Sequence, residues 1–309
     1  MVFPVVVTNA MRVSRNAFPE WLGEHTESLK NQLAKEGAVL LRGFPISNAV
    51  DFDALSKAFG YTDFTYQESL SNAIRVNHLP RVFTANEAPP EVEIFLHHEM
   101  AQTPVSPNKL FFFCQSAASE GGETPLCRSD LLYDDFKKEH PVWAAKFEQL
   151  GLKYTTRMPF VNDQTSGQGR SWQSTLSVNS KRQAEKKLQE LSYSWEWVDN
   201  KALLATTPVL PAVKNLPDKS QSFYNQLIAA YLGWPGVSDD PSATLRFGDD
   251  SQIPVTALQR VSELAERHTY DLRWQDGDIA LVDNHRVMHG RRRYSGKRQR
   301  LVLVCLAKG

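Results

Sequence analysis

The stretch "GDIALVDNHRVMHGR" (residues 277–291), followed after a basic interval by "RQRLVLVCLA" (298–307), carries apolar runs rich in Val, Leu and Ile. Runs of this kind, bounded by glycine and charged residues, read as two strands joined by a basic, Gly-containing turn. The pattern recurs upstream. "EIFLHHE" (93–99) and "KLFFFCQSA" (109–117) read as strands, and "SEGGETPL" (119–126) reads as the turn after them. In front, an amphipathic helix is expected across Pro19–Lys35, ending at Gly37, with "AVLLRGF" (38–44) as a buried strand behind it. A second helix is expected over Val50–Phe59, one or two short helices within 129–150, and another at Pro254–His268. Residues 160–222 are the least patterned part, rich in Ser, Gln, Asn and Pro, with one helix at Lys181–Leu191. Long irregular insertions of this sort serve as lids or binding loops. The expected fold is α+β: a jelly-roll (double-stranded β-helix) core with flanking helices and a lid insertion at about 160–222, all in one domain spanning 1–309.

Composition narrows the function. Among 309 residues, Lys+Arg and Asp+Glu balance at 35 each, so no global field favours nucleic acid or an anionic membrane. No apolar run reaches the length of a membrane span. The start, "MVFPVVVTNA", lacks a charged n-region and a long apolar h-region and reads as a strand rather than a signal peptide. Cys114, Cys127 and Cys305 are far apart with no CxxC pair, which points to buried thiols in a reducing, cytoplasmic setting. "HGRRRYSGKRQR" (289–300) sits between two strands and reads as turn and rim cations rather than a nucleic-acid patch. Trp172, Trp195 and Trp197 read as lid packing, and Gly121 and Gly122 as turn glycines without the Gly-Lys-Ser/Thr of a phosphate loop.

The chemistry is concentrated in "LHHEM" (96–100). On a strand, residues two apart share a face, so His97 points with Glu99 while His98 points away. An H-x-E pair offers an imidazole nitrogen and a carboxylate oxygen to one point, as in the two-histidine, one-carboxylate triad of non-haem iron oxygenases. Alone the motif is weak. The triad needs a distal histidine, and both His285 and His289 are available on one face of the 277–291 strand. A clamp for a dicarboxylate cofactor needs a guanidinium, and Arg298 and Arg300 share a face of the next strand. Thr124 is available as a hydroxyl partner. Spacing leaves these pairings open.

The chain resembles the TauD/TfdA (taurine dioxygenase-like) family of Fe(II)/2-oxoglutarate-dependent oxygenases, and within it the clavaminate synthase-like and SyrP-like members that act on amino acids. The resemblance rests on "GAVLLRGF" (37–44), "LHHEMAQTPVSPNKLFFFC" (96–114), "EGGETPL" (120–126), "SFYNQL" (222–227) and "WQDGDIALVDNHRVMHGRRRYSGKRQR" (274–300), in the expected order over nearly the whole chain. It implies His97, Glu99 and His289 as the ligands of Fe(II). It implies Thr124 and Arg300 as the partners of the far carboxylate of 2-oxoglutarate, with O2 as co-substrate. His285 falls where many relatives carry arginine and reads as structural or supporting.

Two departures bear on substrate. The family's sulfonate-binding arginine corresponds to Val304, and an asparagine four residues before the first metal histidine corresponds to Glu93. Sulfonate is therefore not the expected substrate, and Glu93 becomes a candidate partner for a substrate ammonium. The carboxylate of Glu99 argues against halogenation, because related halogenases replace it with a small residue. Arg157 in "YTTRMPF" and Asn225 in "SFYNQL" flank the expected lid and are candidates for orienting a substrate carboxylate. The implied activity is hydroxylation of an unactivated C–H of an amino acid, free or tethered to a carrier protein, in natural-product biosynthesis. Desaturation or ring closure at the same site, a zinc-dependent cupin-like hydrolase, and a non-catalytic ligand-binding relative are the alternatives.

Overall fold

The computed structural model describes residues 3–309 except 67–68, 164, 166–167, 199–200, 235–236 and 238. Strand β1 (Val5–Thr8) leads into helix α1 (Phe18–Glu36), strand β2 (Ala38–Arg42) and helix α2 (Ala49–Ala58). Strands β3 (Thr62–Phe64), β4 (Phe83–Thr84) and β5 (Ile94–His97) precede the long β6 (Lys109–Ser116). Next come β7 (Glu120–Gly121), β8 (Thr124–Arg128), α3 (Ser129–Glu139), α4 (Pro141–Leu150) and β9 (Leu152–Met158). Helices α5 (Trp172–Leu176) and α6 (Lys181–Glu190) are followed by β10 (Ser194–Val198), β11 (Ala202–Thr206), β12 (Lys214–Asn215) and β13 (Gln221–Ser222). The remainder is α7 (Leu227–Gly233), β14 (Leu245–Phe247), α8 (Val255–Arg267), β15 (Thr269–Leu272), β16 (Ile279–Asp283), β17 (Val287–Arg291), β18 (Tyr294–Ser295) and β19 (Leu301–Lys308).

Two sheets organise the molecule. Seven strands run in the order β1-β2-β16-β6-β19-β3, with β4 also paired to β19, and a second sheet runs β15-β8-β17-β5. The period of two in β6 divides its side chains between two apolar layers. Phe111 and Phe113 join Leu29 and Leu33 of α1 and Phe52 and Leu55 of α2 on the outer face. Leu110, Phe112 and Cys114 face inward and share a core with Leu126 of β8 and Val287 of β17. The far face of the second sheet, through Leu96, Cys127 and Met288, is covered by residues of α3, α4, α7 and α8. The result is a mixed α/β arrangement in four layers, helices–sheet–sheet–helices, and the sheets do not close into a barrel. All three cysteines are buried and free, and among the described residues no helix is long and apolar enough to cross a membrane.

Local chemistry sets the element ends. Helix α1 stops where Gly37 turns left-handed (φ +86°) and its N–H donates to the Leu33 carbonyl at 2.8 Å. Helix α2 starts at Asn48, whose Oδ1 accepts from the N–H groups of Val50 and Asp51 at 2.9 and 3.0 Å.

Three expectations are corrected. Residues 277–291 are two strands in different sheets rather than one, because Asp283 Oδ1 accepts from His285 N–H at 2.9 Å and closes a turn at 284–286. His285 and His289 therefore do not share a strand. Arg298 and Arg300 both precede β19 rather than lying on it. Residues 160–222 also hold more structure than the single expected helix. They add α5 and four strands, and β10 and β11 extend β9 and β14 into a four-stranded sheet, order β10-β11-β9-β14. Those strands are short and depend on their neighbours for pairing, which no local pattern announces. Residues 164, 166–167 and 199–200 of the expected lid lie outside the described residues.

Candidate metal centre and cofactor cavity

The second sheet places His97 and His289 directly opposite each other on β5 and β17, with ring centroids 4.4 Å apart. Close approach of these strands requires Gly290, since a Cβ there would meet the Ile94 carbonyl oxygen at 2.4 Å. Glu99 lies two residues past the end of β5, in a turn, so strand parity alone does not hold it. Asn284 does. Its Oδ1 accepts from the Glu99 N–H at 2.7 Å, and its Nδ2 donates to the carbonyls of Glu99 and Pro107 at 2.9 and 2.7 Å. One ligand atom each of His97, Glu99 and His289 lies within 4.8 Å of the others.

The electrostatics suit a divalent cation. Burial lowers the His97 pKa to about 4, with His289 adding to the effect, so its imidazole is neutral near pH 7. Its Nδ1 lies 2.8 Å from the Phe95 carbonyl, which leaves Nε2 for the cluster. Burial acts to raise the Glu99 pKa, but Arg75 and the two histidines outweigh it and hold the carboxyl well below the usual range. Glu99 Oε2 is 3.6 Å from His289 Nε2, while His289 Nδ1 is buried without a partner. Two imidazoles and one ionised carboxylate form a donor set that fits Fe(II).

His98 is turned away and fully buried. Its Nδ1 meets the Asn284 carbonyl at 2.6 Å, its ring packs on Tyr224 at 4.8 Å, and burial holds its pKa well below the usual value. His285 sits on the 284–286 turn, 3.0 Å from Lys214 Nζ, and does not line the cavity.

The three clustered residues line a cavity with about 950 Å³ of empty space, part of it open to solvent. Thr124, Arg300 and Glu93 line it too. Thr124 Oγ1 accepts from Trp274 Nε1 at 3.0 Å, which leaves the hydroxyl hydrogen to donate. Arg300 Nε donates to the Gly122 carbonyl at 2.9 Å, leaving its two terminal nitrogens for an incoming anion. Burial and the nearby Arg291 lower its pKa to about 10, and it stays charged.

The chain matches the model of the taurine catabolism dioxygenase TauD, TfdA family over residues 7–306. The chain belongs to the TauD/TfdA family. It is accordingly an Fe(II)- and 2-oxoglutarate-dependent dioxygenase that uses O2. A clavaminate synthase-like protein of Arabidopsis thaliana is 34% identical over 289 residues, covering 93% of this chain and 87% of the relative. The dapdiamide synthesis protein DdaC of Enterobacter agglomerans is 27% identical over 279 residues, covering 86% and 81%. Two solved structures share the fold. AAD-2 with Mn(II) and N-oxalylglycine has a TM-score of 0.55 at 13% identity, covering 100% of this chain and 96% of that one. A taurine dioxygenase from Burkholderia xenovorans has a TM-score of 0.53 at 15% identity, covering 93% and 81%. The zinc-hydrolase and non-catalytic alternatives are set aside.

Within this TauD/TfdA-family dioxygenase, two of the residues considered for substrate are not brought to the cavity. Arg157 is exposed on β9, opposite Leu204. Asn225 is fully buried and closes its own loop, its Nδ2 donating to the Ala212 carbonyl at 3.2 Å and its Oδ1 accepting from Leu227 N–H at 3.0 Å. Neither is a cavity residue. The basic run resolves into separate tasks. Arg291 donates to the carbonyls of Ala88, Pro89 and Val92 at 2.7–2.8 Å, Arg292 pairs with acids, and exposed Arg298 pairs with Asp276.

Sequence reasoning missed Arg75 and the role of Asn284. Arg75 Nη2 donates to both oxygens of Glu99, at 2.9 and 3.0 Å. No motif or periodicity marks it in "NAIRVNH" (72–78), whereas Asn284 stood in view within the "DN" element.

Proposed function

We propose that this dioxygenase hydroxylates an unactivated C–H of an amino acid or of an aminoacyl group tethered to a carrier protein, in natural-product biosynthesis. The observation that carries the reading is Glu93 at the cavity wall. Its carboxylate pairs with Arg292 at 3.1 Å, but Arg292 also serves Glu266 at 3.0 Å and Asp271 at 2.8 Å. One cation shared among three carboxylates leaves Glu93 without a partner of its own, so it can take up a substrate ammonium group. Val304, where sulfonate-binding relatives carry arginine, is buried in the core between the sheets and contributes no cation. The clavaminate synthase-like and dapdiamide-synthesis relatives accord with an amino-acid-derived substrate.

In this reading His97, Glu99 and His289 hold the iron, and Arg300 and Thr124 hold the far carboxylate of 2-oxoglutarate. The bound cofactors supply the oxidant, 2-oxoglutarate going to succinate and CO2 as one oxygen atom enters the substrate. The chain's own task is to hold the target C–H in place and to keep water away. We read the two sheets as an open jelly-roll core of one domain, and residues 160–222 as a lid. Gln168, from that segment, lines the cavity, which supports the lid.

The test is turnover. The iron-loaded protein is given O2, 2-oxoglutarate and a panel of free and carrier-bound amino acids, with succinate and mass change followed. A product heavier by one oxygen supports the reading. Succinate release that no amino-acid-type compound stimulates, while another class does, overturns the substrate assignment.

A further inference from the structure

The geometry points to Arg75 as a positioning residue that restrains Glu99 to a single coordinating oxygen and so keeps free the metal position that 2-oxoglutarate requires. This rests on the function proposed above.

The pair is buried and tightly made. The side chains of Arg75 and Glu99 are 6% and 5% exposed, and one terminal nitrogen bridges both carboxylate oxygens at 2.9 and 3.0 Å. Burying a guanidinium is costly, and Arg75 Nε is buried with no partner at all. The arginine is therefore not placed there to complete a hydrogen-bond network of its own. Its backbone is fixed from both sides. The Ile74 carbonyl accepts from Glu87 N–H at 3.1 Å, and Val76 exchanges bonds of 2.9 Å with the side chain and backbone of Thr84. The guanidinium lies over the Phe83 ring, 5.4 Å from its centroid.

A restrained carboxylate matters because of coordination number. Two histidines and one carboxylate oxygen take three of six positions, and a cofactor with two donor oxygens plus O2 needs the other three. A free carboxylate can close on a cation with both oxygens and take a fourth. Arg75, by engaging both oxygens, leaves each with less capacity and holds their plane fixed. Hydrogen bonds to ligating carboxylates are worth roughly 10–100-fold in affinity or activity elsewhere.

The test compares full-length wild-type protein, Arg75→Gln and Arg75→Lys by calorimetry, first with Mn(II) alone and then with 2-oxoglutarate added to the Mn(II)-loaded protein. Arg75→Gln is expected to lose clearly more 2-oxoglutarate affinity, roughly 10–100-fold, than Mn(II) affinity. Arg75→Lys, which keeps the charge but puts it on a shorter, more freely rotating stem, should fall between. Wild-type-like 2-oxoglutarate binding in Arg75→Gln overturns the inference. So does parallel loss of Mn(II) and 2-oxoglutarate, which would make Arg75 a builder of the ligand set instead. Should Arg75→Gln fail to fold, Arg75→Lys decides by the same criteria. Wild-type protein that takes Mn(II) but no 2-oxoglutarate would sink the proposed function itself, a separate result.

Discussion

Asn284 grips the main chain of Glu99 from both sides, accepting from its N–H at 2.7 Å and donating to its carbonyl at 2.9 Å. The carboxylate of the candidate metal centre is thus held by a residue from the turn between β16 and β17, the same turn that delivers His289 three residues into β17. Asn284→Ala leaves a buried N–H and two buried carbonyls short of partners, an expected cost of about 2–4 kcal/mol. Chemical denaturation should register that loss. Metal titration should show affinity weakened by about 10–100-fold, since the orienting partner of a ligand is gone.

The two neighbouring histidines should separate cleanly. His97→Ala removes a cluster donor and is expected to abolish stoichiometric Fe(II) binding. His98→Asn keeps a polar group beside the Asn284 carbonyl and is expected to retain iron, at a cost in stability of about 1–3 kcal/mol. Metal analysis of both variants checks this, and iron retained by His97→Ala but lost by His98→Asn would reverse the assignment.

Gly122 gives Arg300 its space. It is left-handed (φ +72°), and a Cβ there would meet Arg300 Cδ at 2.9 Å and Nε at 3.0 Å. Gly122→Ala should cost about 1–2 kcal/mol of stability and displace the guanidinium. The expected kinetic signature is a raised KM for 2-oxoglutarate with metal affinity unchanged. Equal effects on both would contradict the placement of Arg300 at the cofactor's far end.

His285 gives a pH prediction. Burial and Lys214 lower its pKa to about 4, below the value of about 6.5 in an unfolded chain. Between those values the unfolded state binds more protons, so stability falls as pH drops from about 6.5 to 4 and the loss levels off below. Replacing His285 with Asn should flatten that part of the profile by on the order of 1–3 kcal/mol. Thermal melts of both proteins at several pH values between 4 and 7 measure the difference.

How much of this was legible in the sequence differs by element. Helix α1 and strand β6 were, because Gly37 ends one and unbroken apolar residues define the other. His97, Glu99, Thr124, His289 and Arg300 stand out in the motifs that carry the family resemblance, and all five line one cavity. The break at 284–286 was not read, although Asp-Asn is turn chemistry, because the apolar runs on either side masked it. Strands β10 and β11 were missed since their stability comes from β9, distant in sequence. Arg75 was invisible for the same reason: its meaning is a partner 24 residues away. Arg157 and Asn225 were named for their neighbourhood in sequence, and folding sends one to solvent and the other into a loop closure.

The most direct test is an anaerobic titration of the purified protein with Fe(II) and then 2-oxoglutarate, read by visible absorption. One iron per chain is expected, with a charge-transfer band that appears only when both are present. The band should be absent in His289→Ala and require far more 2-oxoglutarate in Arg300→Leu. A wild-type protein that shows no band at any iron loading, or a His289→Ala variant that shows it undiminished, would overturn the assignment of His97, Glu99 and His289 as the iron site.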